Sequence, residues 1–277
     1  DTYLEKYQIP AVDYSEGVKT AYPQGIQAKE FILPKELLEQ DCVISLSKMK
    51  THALERITGA VKNSYGFVYG FHKAKGHTQY PSADSFARML IDLNKCVAPK
   101  LYVMDGIVAM EGNGPGSGDP VPMNVLLMST DPVALDSVFS RLVYLKPEMV
   151  PTNYHGEKMG LGTWKEEEIT LLTPDGEISM AEAVKKYGNP AFNVDRTEVR
   201  KNIWTRMAGA LNIFQKKPYI EADKCVRCGI CVQSCPVPGK AVDFRKGKGK
   251  PPVYDYRKCI RCFCCQEMCP KKAIKVK

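Results

Sequence analysis

Eight of the eleven cysteines in this 277-residue chain fall into two runs of identical spacing. The first is Cys225, Cys228, Cys231 and Cys235, closed by Pro236; the second is Cys259, Cys262, Cys265 and Cys269, closed by Pro270. Thiols two residues apart can wrap a loop around three corners of an iron–sulfur cubane, and the fourth corner needs a ligand from elsewhere in the chain. This spacing is the ligand pattern of paired [4Fe–4S] clusters in which the fourth cysteine of each run serves the other cluster. It therefore predicts cluster I on Cys225, Cys228, Cys231 and Cys269, and cluster II on Cys259, Cys262, Cys265 and Cys235. Zinc sites set pairs of ligands apart by a longer spacer and use four per ion. A disulfide framework belongs to a small secreted chain. Neither fits triplets followed by Cys-Pro.

The halves repeat beyond the cysteines. Ala222–Cys228 aligns with Tyr256–Cys262, and Ala241-Val242 with Ala273-Ile274, an internal duplication. The prolines fix φ and remove a donor, which ends each loop. Cys264 lies inside the second run without a place in the pattern and reads as a spare thiol.

A second constellation lies upstream. Three apolar runs, Val43–Leu46, Leu101–Met104 and Val125–Met128, are each followed at once by polar residues. The first leads into Ser47-Lys48-Met49-Lys50-Thr51-His52. The second leads into Asp105-Gly106 and on to Glu111 and the glycine-rich stretch Gly112–Gly118. The third leads into Ser129-Thr130-Asp131. Ligands of open α/β sheets sit beyond the carboxyl ends of the strands, so parallel neighbours would bring these groups together. Lys48, Lys50 and Lys62 could bind an anion, with Thr51 and Asn63 beside them. His52 could transfer protons near neutral pH, as could Asp105 and Glu111, which have no capping role. Gly112, Gly114 and Gly116 could turn backbone N–H groups toward an anion, although no Gly-Lys-Ser/Thr follows and the stretch is not a P-loop. Asp131, before Pro132, reads as a helix cap.

These groups need a scaffold. Ala28–Leu33, Cys42–Leu46, Leu101–Met104 and Val125–Met128 read as short buried strands. Phe86, Met89, Leu90 and Leu93 recur at helical spacing, and Asp131-Pro132 opens an amphipathic helix through Leu142. Residues 170–178 read as a hairpin about Pro174-Asp175-Gly176. The expected organisation is an α/β domain over 1–197 with a mostly parallel sheet. A connecting helix over 198–218 follows, its stripe formed by Val199, Ile203, Met207, Leu211 and Phe214. A small α+β, bacterial-type 2[4Fe–4S] ferredoxin domain completes the chain over 219–277.

The formal charge of +8 is uneven. Residues 224–277 hold 14 Lys and Arg against 3 Asp and Glu, a charge of +11, while the rest holds 25 against 28, or −3. Two oxidised clusters with their thiolates would bring the tail to about +7 by formal charge. Lys240, Arg245, Lys246, Lys248 and Lys250 concentrate the excess between the repeats, which suits docking of an acidic electron donor such as a ferredoxin. Aromatic interleaving of the kind a single-strand nucleic-acid binder uses is missing from the tail. No apolar run reaches the length of a membrane span and no signal peptide is visible. Low-potential clusters with free thiols lead us to expect a reducing cytoplasm, as in an anaerobe.

Four stretches carry a family resemblance: Val43–His52, Gly59–Asn63, Asp105–Pro115 and Ser129–Asp136. With the cysteines they resemble domain of unknown function 362, in its form with a ferredoxin tail. The resemblance implies an α/β iron–sulfur protein and supplies no substrate. Members usually carry more sequence before the position of Asp1, so the α/β domain is expected to lack its N-terminal part.

The sequence leads first to a redox protein, and specifically to a ferredoxin-dependent oxidoreductase passing electrons through the clusters to an anionic small molecule. No flavin or nicotinamide fingerprint is present. The alternatives are a non-catalytic carrier whose α/β domain docks a partner enzyme, and structural clusters on a cofactor-assembly factor.

Overall fold

The computed structural model describes residues 2–70, 72–198, 216–245 and 247–277. The helix expected over 198–218 lies, apart from its ends, outside the described residues. Of those ends, Pro218 already belongs to a strand.

The described strands are β1 (Gly17–Ala21), β2 (Glu30–Pro34), β3 (Ile44–His52), β4 (Arg56–Thr58), β5 (Leu101–Glu111), β6 (Asp119–Ser129), β7 (Leu171–Thr173), β8 (Gly176–Ile178), β9 (Pro218–Ile220), β10 (Val242–Asp243), β11 (Val253–Tyr254) and β12 (Ile274–Val276). The central sheet runs β4-β3-β5-β6. Only β3 and β5 are parallel; β3 pairs antiparallel with β4, and β5 with β6. The expectation of a mostly parallel sheet is therefore corrected: the sheet is mixed. The physical reason is the link between β5 and β6. Residues 112–118 turn the chain straight back, whereas a parallel return needs a crossover of a dozen or more residues. The connection from β3 to β5, which includes the helix Ala83–Val97, supplies such a crossover.

Helices cover one face of this sheet. Met49, Ile57, Tyr102, Met104 and Val125 pack there against Leu135, Phe139 and Leu142 of the helix Pro132–Leu142 and against Phe192. Asp131 caps that helix, accepting from Val133 and Ala134 N–H groups at 2.7 and 2.9 Å. The other face is open and apolar. Leu46, Val103 and Met128 stand in one cross-strand row, with Leu46 71% and Met128 64% exposed. The runs that read as buried strands are thus covered on one side.

A second core joins the β1–β2 hairpin to the helix Ala83–Val97 through Phe31, Leu33, Phe86, Met89 and Leu90, with Val61 and Tyr65 below. The β7–β8 hairpin forms where expected. The C-terminal unit is built from the antiparallel pairs β9–β12 and β10–β11 and two short helices, Ile230–Gln233 and Cys264–Glu267.

Candidate functional site

The internal duplication reappears in the backbone of the C-terminal unit. Arg227 and Arg261, two residues after the first cysteine of each run, take φ of 58° and 56°. Gly229 and Phe263, two positions further on, take 79° and 61°. Left-handed residues at matched places curl each loop around its own centre. Cys231 has Cys225, Cys228 and Cys269 as electrostatic neighbours, and all four line one largely apolar cavity. Cys259 neighbours Cys262 and Cys235, and Cys265 neighbours Cys259 and Cys262. Cys265 also has Cys231 as a neighbour, so the two groups are not cleanly separated, and among the described residues no set of three or more His, Cys, Asp or Glu side chains is arranged to hold a metal ion.

The donors around the sulfurs suit anionic thiolates. Ala241 N–H points at Cys235 Sγ and Ala273 N–H at Cys269 Sγ, both at 3.3 Å, and Tyr254 Oη donates to Cys265 Sγ at 3.1 Å. The first two bonds are equivalent under the duplication. Such donors stabilise sulfur-borne charge and raise the potential of a bound cluster. All eleven cysteines are unbridged. Unbridged thiols and donors aimed at sulfur are the chemistry that iron–sulfur ligation uses. Cys264 lies beside Cys262 as a thiol outside both groups.

Part of the basic excess is consumed locally. Lys240 Nζ donates to the carbonyls of Gln233 and Cys235, and Arg245 pairs with Asp255 at 3.4 Å. Lys248 and Lys250 are exposed, and Lys246 lies outside the described residues.

The glycine-rich loop has a different use from the anion cradle expected of it. Gly112 N–H donates to Asn193 O and Gly114 N–H to Gly112 O, so two of its N–H groups are engaged. Its carbonyls face the C-terminal unit. Gln266, fully buried, donates through Nε2 to Asn113 O at 2.8 Å and Gly114 O at 3.0 Å. Asn113 Nδ2 donates to Ile274 O, and Lys272 Nζ to Gly118 O. A Cβ on Gly116 would stand 2.8 Å from Glu267 O, and one on Gly114 would overlap Thr51 O. Gly112, Gly114 and Gly116 therefore form a saddle that seats the second cysteine loop against β3. Thr51 Oγ1 completes it by donating to Gly112 O at 3.1 Å.

The remaining candidates separate. Lys48 and Asp105 are register partners and pair with each other at 2.5 Å, both nearly half exposed. The Lys48 hydrogen bond holds the Asp105 carboxyl below its ordinary value, and the Ile107 N–H adds to this. Asp105 is thus an ionised partner in a surface pair. Glu111 accepts from Asn193 N–H at 2.7 Å, and Asn63 Nδ2 donates to Leu46 O at 3.0 Å; both fasten backbone. The antiparallel β6 carries Ser129, Thr130 and Asp131 to the end of the sheet opposite the glycine loop, since Ser129 pairs with Tyr102 while Asp119 pairs with Glu111. The three polar groups do not converge.

Lys50, His52 and Lys62 do come together. Lys62 is 92% buried, and Lys50, His52, Glu55, Lys73 and His77 all lie within its electrostatic reach. His52 Nδ1 accepts the N–H groups of Leu54 and Glu55, both at 3.1 Å, which places its proton on Nε2. Burial, then Lys62, pushes His52 well below its ordinary value and His77 down to about 3. Burial raises Glu55 well above the carboxylate range. Burial thus favours the neutral form of both imidazoles and of the Glu55 carboxyl. Glu55 has neither carboxyl oxygen hydrogen-bonded, nor has His77 Nδ1, among the described residues. Glu267 of the second cysteine loop lies within reach of Lys50 and Lys73.

Sequence reasoning missed Glu55, Tyr65, His77, Asp136 and Gln266. Asp136, fully buried, accepts from Ala60 and Val61 N–H groups at 2.6 and 3.1 Å and so fixes the turn that carries Lys62. Its place inside an amphipathic stripe was the one available signal.

The family described as "Domain of unknown function (DUF362)" matches residues 1–141, and the one described as "4Fe-4S dicluster domain" matches residues 217–270. Thylakoid-associated protein sll1697 of Synechocystis sp. is 38% identical over 159 residues, 57% of this chain and 49% of that protein, so the chain spans about half the length of this curated relative. No solved structure matches. Among the described residues no helix is long and apolar enough to cross a membrane.

Proposed function

The chain belongs to the DUF362 family, and from that premise we propose that it carries electrons through two [4Fe–4S] clusters to an anionic small molecule held in the α/β domain. Bound clusters would supply one-electron transfer at low potential. The observation that carries the reading is the seating of the Cys264–Glu267 helix on the glycine loop by fully buried Gln266. It turns the second cysteine loop toward Lys50 and Lys62, and leaves the first loop as the side for an acidic donor such as a ferredoxin.

The residues divide the work. Lys62 and Lys50 bind the anion, because burial of two neighbouring cations makes an added counter-charge favourable. His52, its tautomer fixed, donates Nε2–H to the bound anion. Glu55, whose neutral form burial favours, lies next to the site as a proton source for a reduced product.

The test is anaerobic. Holoprotein reduced by a low-potential ferredoxin is mixed with panels of carboxylates and oxyanions while the visible absorption is followed. Saturable, anion-dependent reoxidation that is at least tenfold slower in Lys62→Met at equal iron content is expected. Reoxidation at the same rate in that variant would refute the site, and clusters that no donor reduces would refute electron transfer.

A further inference from the structure

A cavity of about 390 Å³ opens behind Tyr65, between β2 and the helices His72–Gln79 and Ala83–Val97. Its volume lies in the range of small-ligand sites. Phe31, Tyr80, Val68 and Met89 give it aromatic and aliphatic walls, all at most 8% exposed. Gln27, Lys29, Glu30, His72 and Gln79 add polar groups, of which Lys29 Nζ donates to Pro23 O and Gln79 Nε2 to Tyr80 Oη. Arg88 Nε occupies Gln27 Oε1 at 2.8 Å, which leaves the amide nitrogen of Gln27 as a donor. Asp92 fixes this wall, accepting from the N–H groups of Ile26, Gln27 and Ala28 at 3.0, 2.6 and 2.8 Å.

Tyr65 connects this cavity to the iron–sulfur unit. Its ring packs edge-on against Phe86 at 4.9 Å and His77 at 5.6 Å, and its hydroxyl donates to Lys73 O. The same side chain lies within electrostatic reach of Cys262, Cys264 and Glu267. Tyr65 thus borders the cavity and also reaches the second cysteine loop.

Flat apolar walls accept a ring face, and the amide nitrogen of Gln27 at the rim suits a ring carbonyl oxygen. We propose that this cavity binds a planar quinone-type compound, reduced there by electrons reaching it past Tyr65. The balance closes: the quinone gains two electrons and two protons, both carbonyl oxygens becoming hydroxyls. The electrons come one at a time from the iron–sulfur unit, reloaded by a one-electron donor protein, and the protons enter from water at the open mouth. The inference rests on the electron-transfer reading for the source of its electrons and on the cavity alone for its ligand.

The experiment uses the full-length holoprotein without oxygen and two ring probes, 2-methyl-1,4-naphthoquinone and riboflavin. Binding is read by fluorescence quenching, and electron transfer by recovery of visible absorption after mixing the reduced protein with the naphthoquinone. Saturable one-to-one binding of the naphthoquinone is expected, weakened at least tenfold in Val68→Trp, which fills the cavity, with reoxidation slowed in parallel. Should Val68→Trp lose iron or fold, Tyr80→Ala decides, since it removes a ring wall and should weaken binding about tenfold. Absence of naphthoquinone binding, binding unchanged in the deciding variant, riboflavin binding alone, or binding without reoxidation would each overturn the proposal. Clusters that the donor protein fails to reduce would instead strike the electron-transfer reading, while quenching would still report on the cavity.

Discussion

Replacing Gln266 by leucine should loosen the joint between the cysteine unit and the α/β domain without removing a ligand. Gln266 is fully buried, and its Nε2 donates to two carbonyls of the glycine loop. Leucine has nearly the same volume and leaves both carbonyls without that donor. Gly114 O, in a buried residue, cannot recruit water easily and should cost about 1–3 kcal/mol. Asn113 is partly exposed and can rehydrate, so its loss should be nearer about 1 kcal/mol. The sum, about 2–4 kcal/mol, is offset by about 1–3 kcal/mol because leucine also removes Gln266 Oε1, which is buried without a partner among the described residues, and a net loss of about 1 kcal/mol should lower the melting temperature by roughly 2–4 °C. Anaerobic calorimetry measures it, with iron content and visible spectrum as controls. The expected outcome is a lowered or split transition with both clusters retained. A single transition within about 1 °C of wild type would mean that the two units do not depend on this contact, and the path from cysteine loop to α/β domain would lose its support.

The Asp136 carboxyl is held up at about 7 by burial, against an ordinary 3.8. The native state therefore keeps a proton that the unfolded chain releases, and stability should be greatest below about pH 4 and fall as pH rises toward 7, by roughly 4 kcal/mol at the limit. Urea titrations of Asp136→Asn should show a flatter dependence in that window and a cost of about 1–3 kcal/mol at its acidic end, where one backbone N–H loses its acceptor; an equally steep profile would reject the assignment. Iron and sulfide analysis should find about eight irons in Cys264→Ser, as in wild type, and about half that in Cys231→Ala. Lys48→Ala should change stability by less than about 1 kcal/mol, because its pair with Asp105 is solvent-screened, and should leave anion-dependent reoxidation unaltered. A tenfold loss there would return Lys48 to the site.

The cysteine pattern was legible because ligand spacing is local in sequence and the duplication states it twice. The helix Pro132–Leu142 was legible for a similar reason: Asp131 and Pro132 specify its first turn, and its stripe specifies the buried face. Strand direction was not legible. An apolar run such as Val125–Met128 reads the same in either orientation, and the short return through 112–118 decided it. Lys48 and Asp105 each looked like chemistry in isolation, yet the β3–β5 register makes them opposite numbers across 57 positions. The serines of β3 point the same way: Ser45 and Ser47 are buried while Leu46 faces outward, so hydropathy alone assigns the wrong face. Glu55 and His77 are ordinary residues in polar stretches, and only burial around Lys62 gives them a role.

The two halves of the cysteine unit share spacing, left-handed turns and sulfur donors, and differ where the α/β domain touches them. The residue after the third cysteine is Val232 in the first half and Gln266 in the second. Val232 packs against the unit's own core, whereas Gln266 reaches out of it to the glycine loop. The bonds to that loop from Ile274 and Lys272 also involve the second half. A duplicated carrier acting alone has no physical need for such a difference, because a buried glutamine is costly unless a partner satisfies it. The glycine loop accepts from Gln266 Nε2, while Gln266 Oε1 has no partner among the described residues; the lack of a side chain at Gly116 leaves room for the helix, and at Gly114 for Thr51 of β3. The asymmetry gives the duplicated unit an inner end, seated on the glycine loop, and an outer end that makes no such contact.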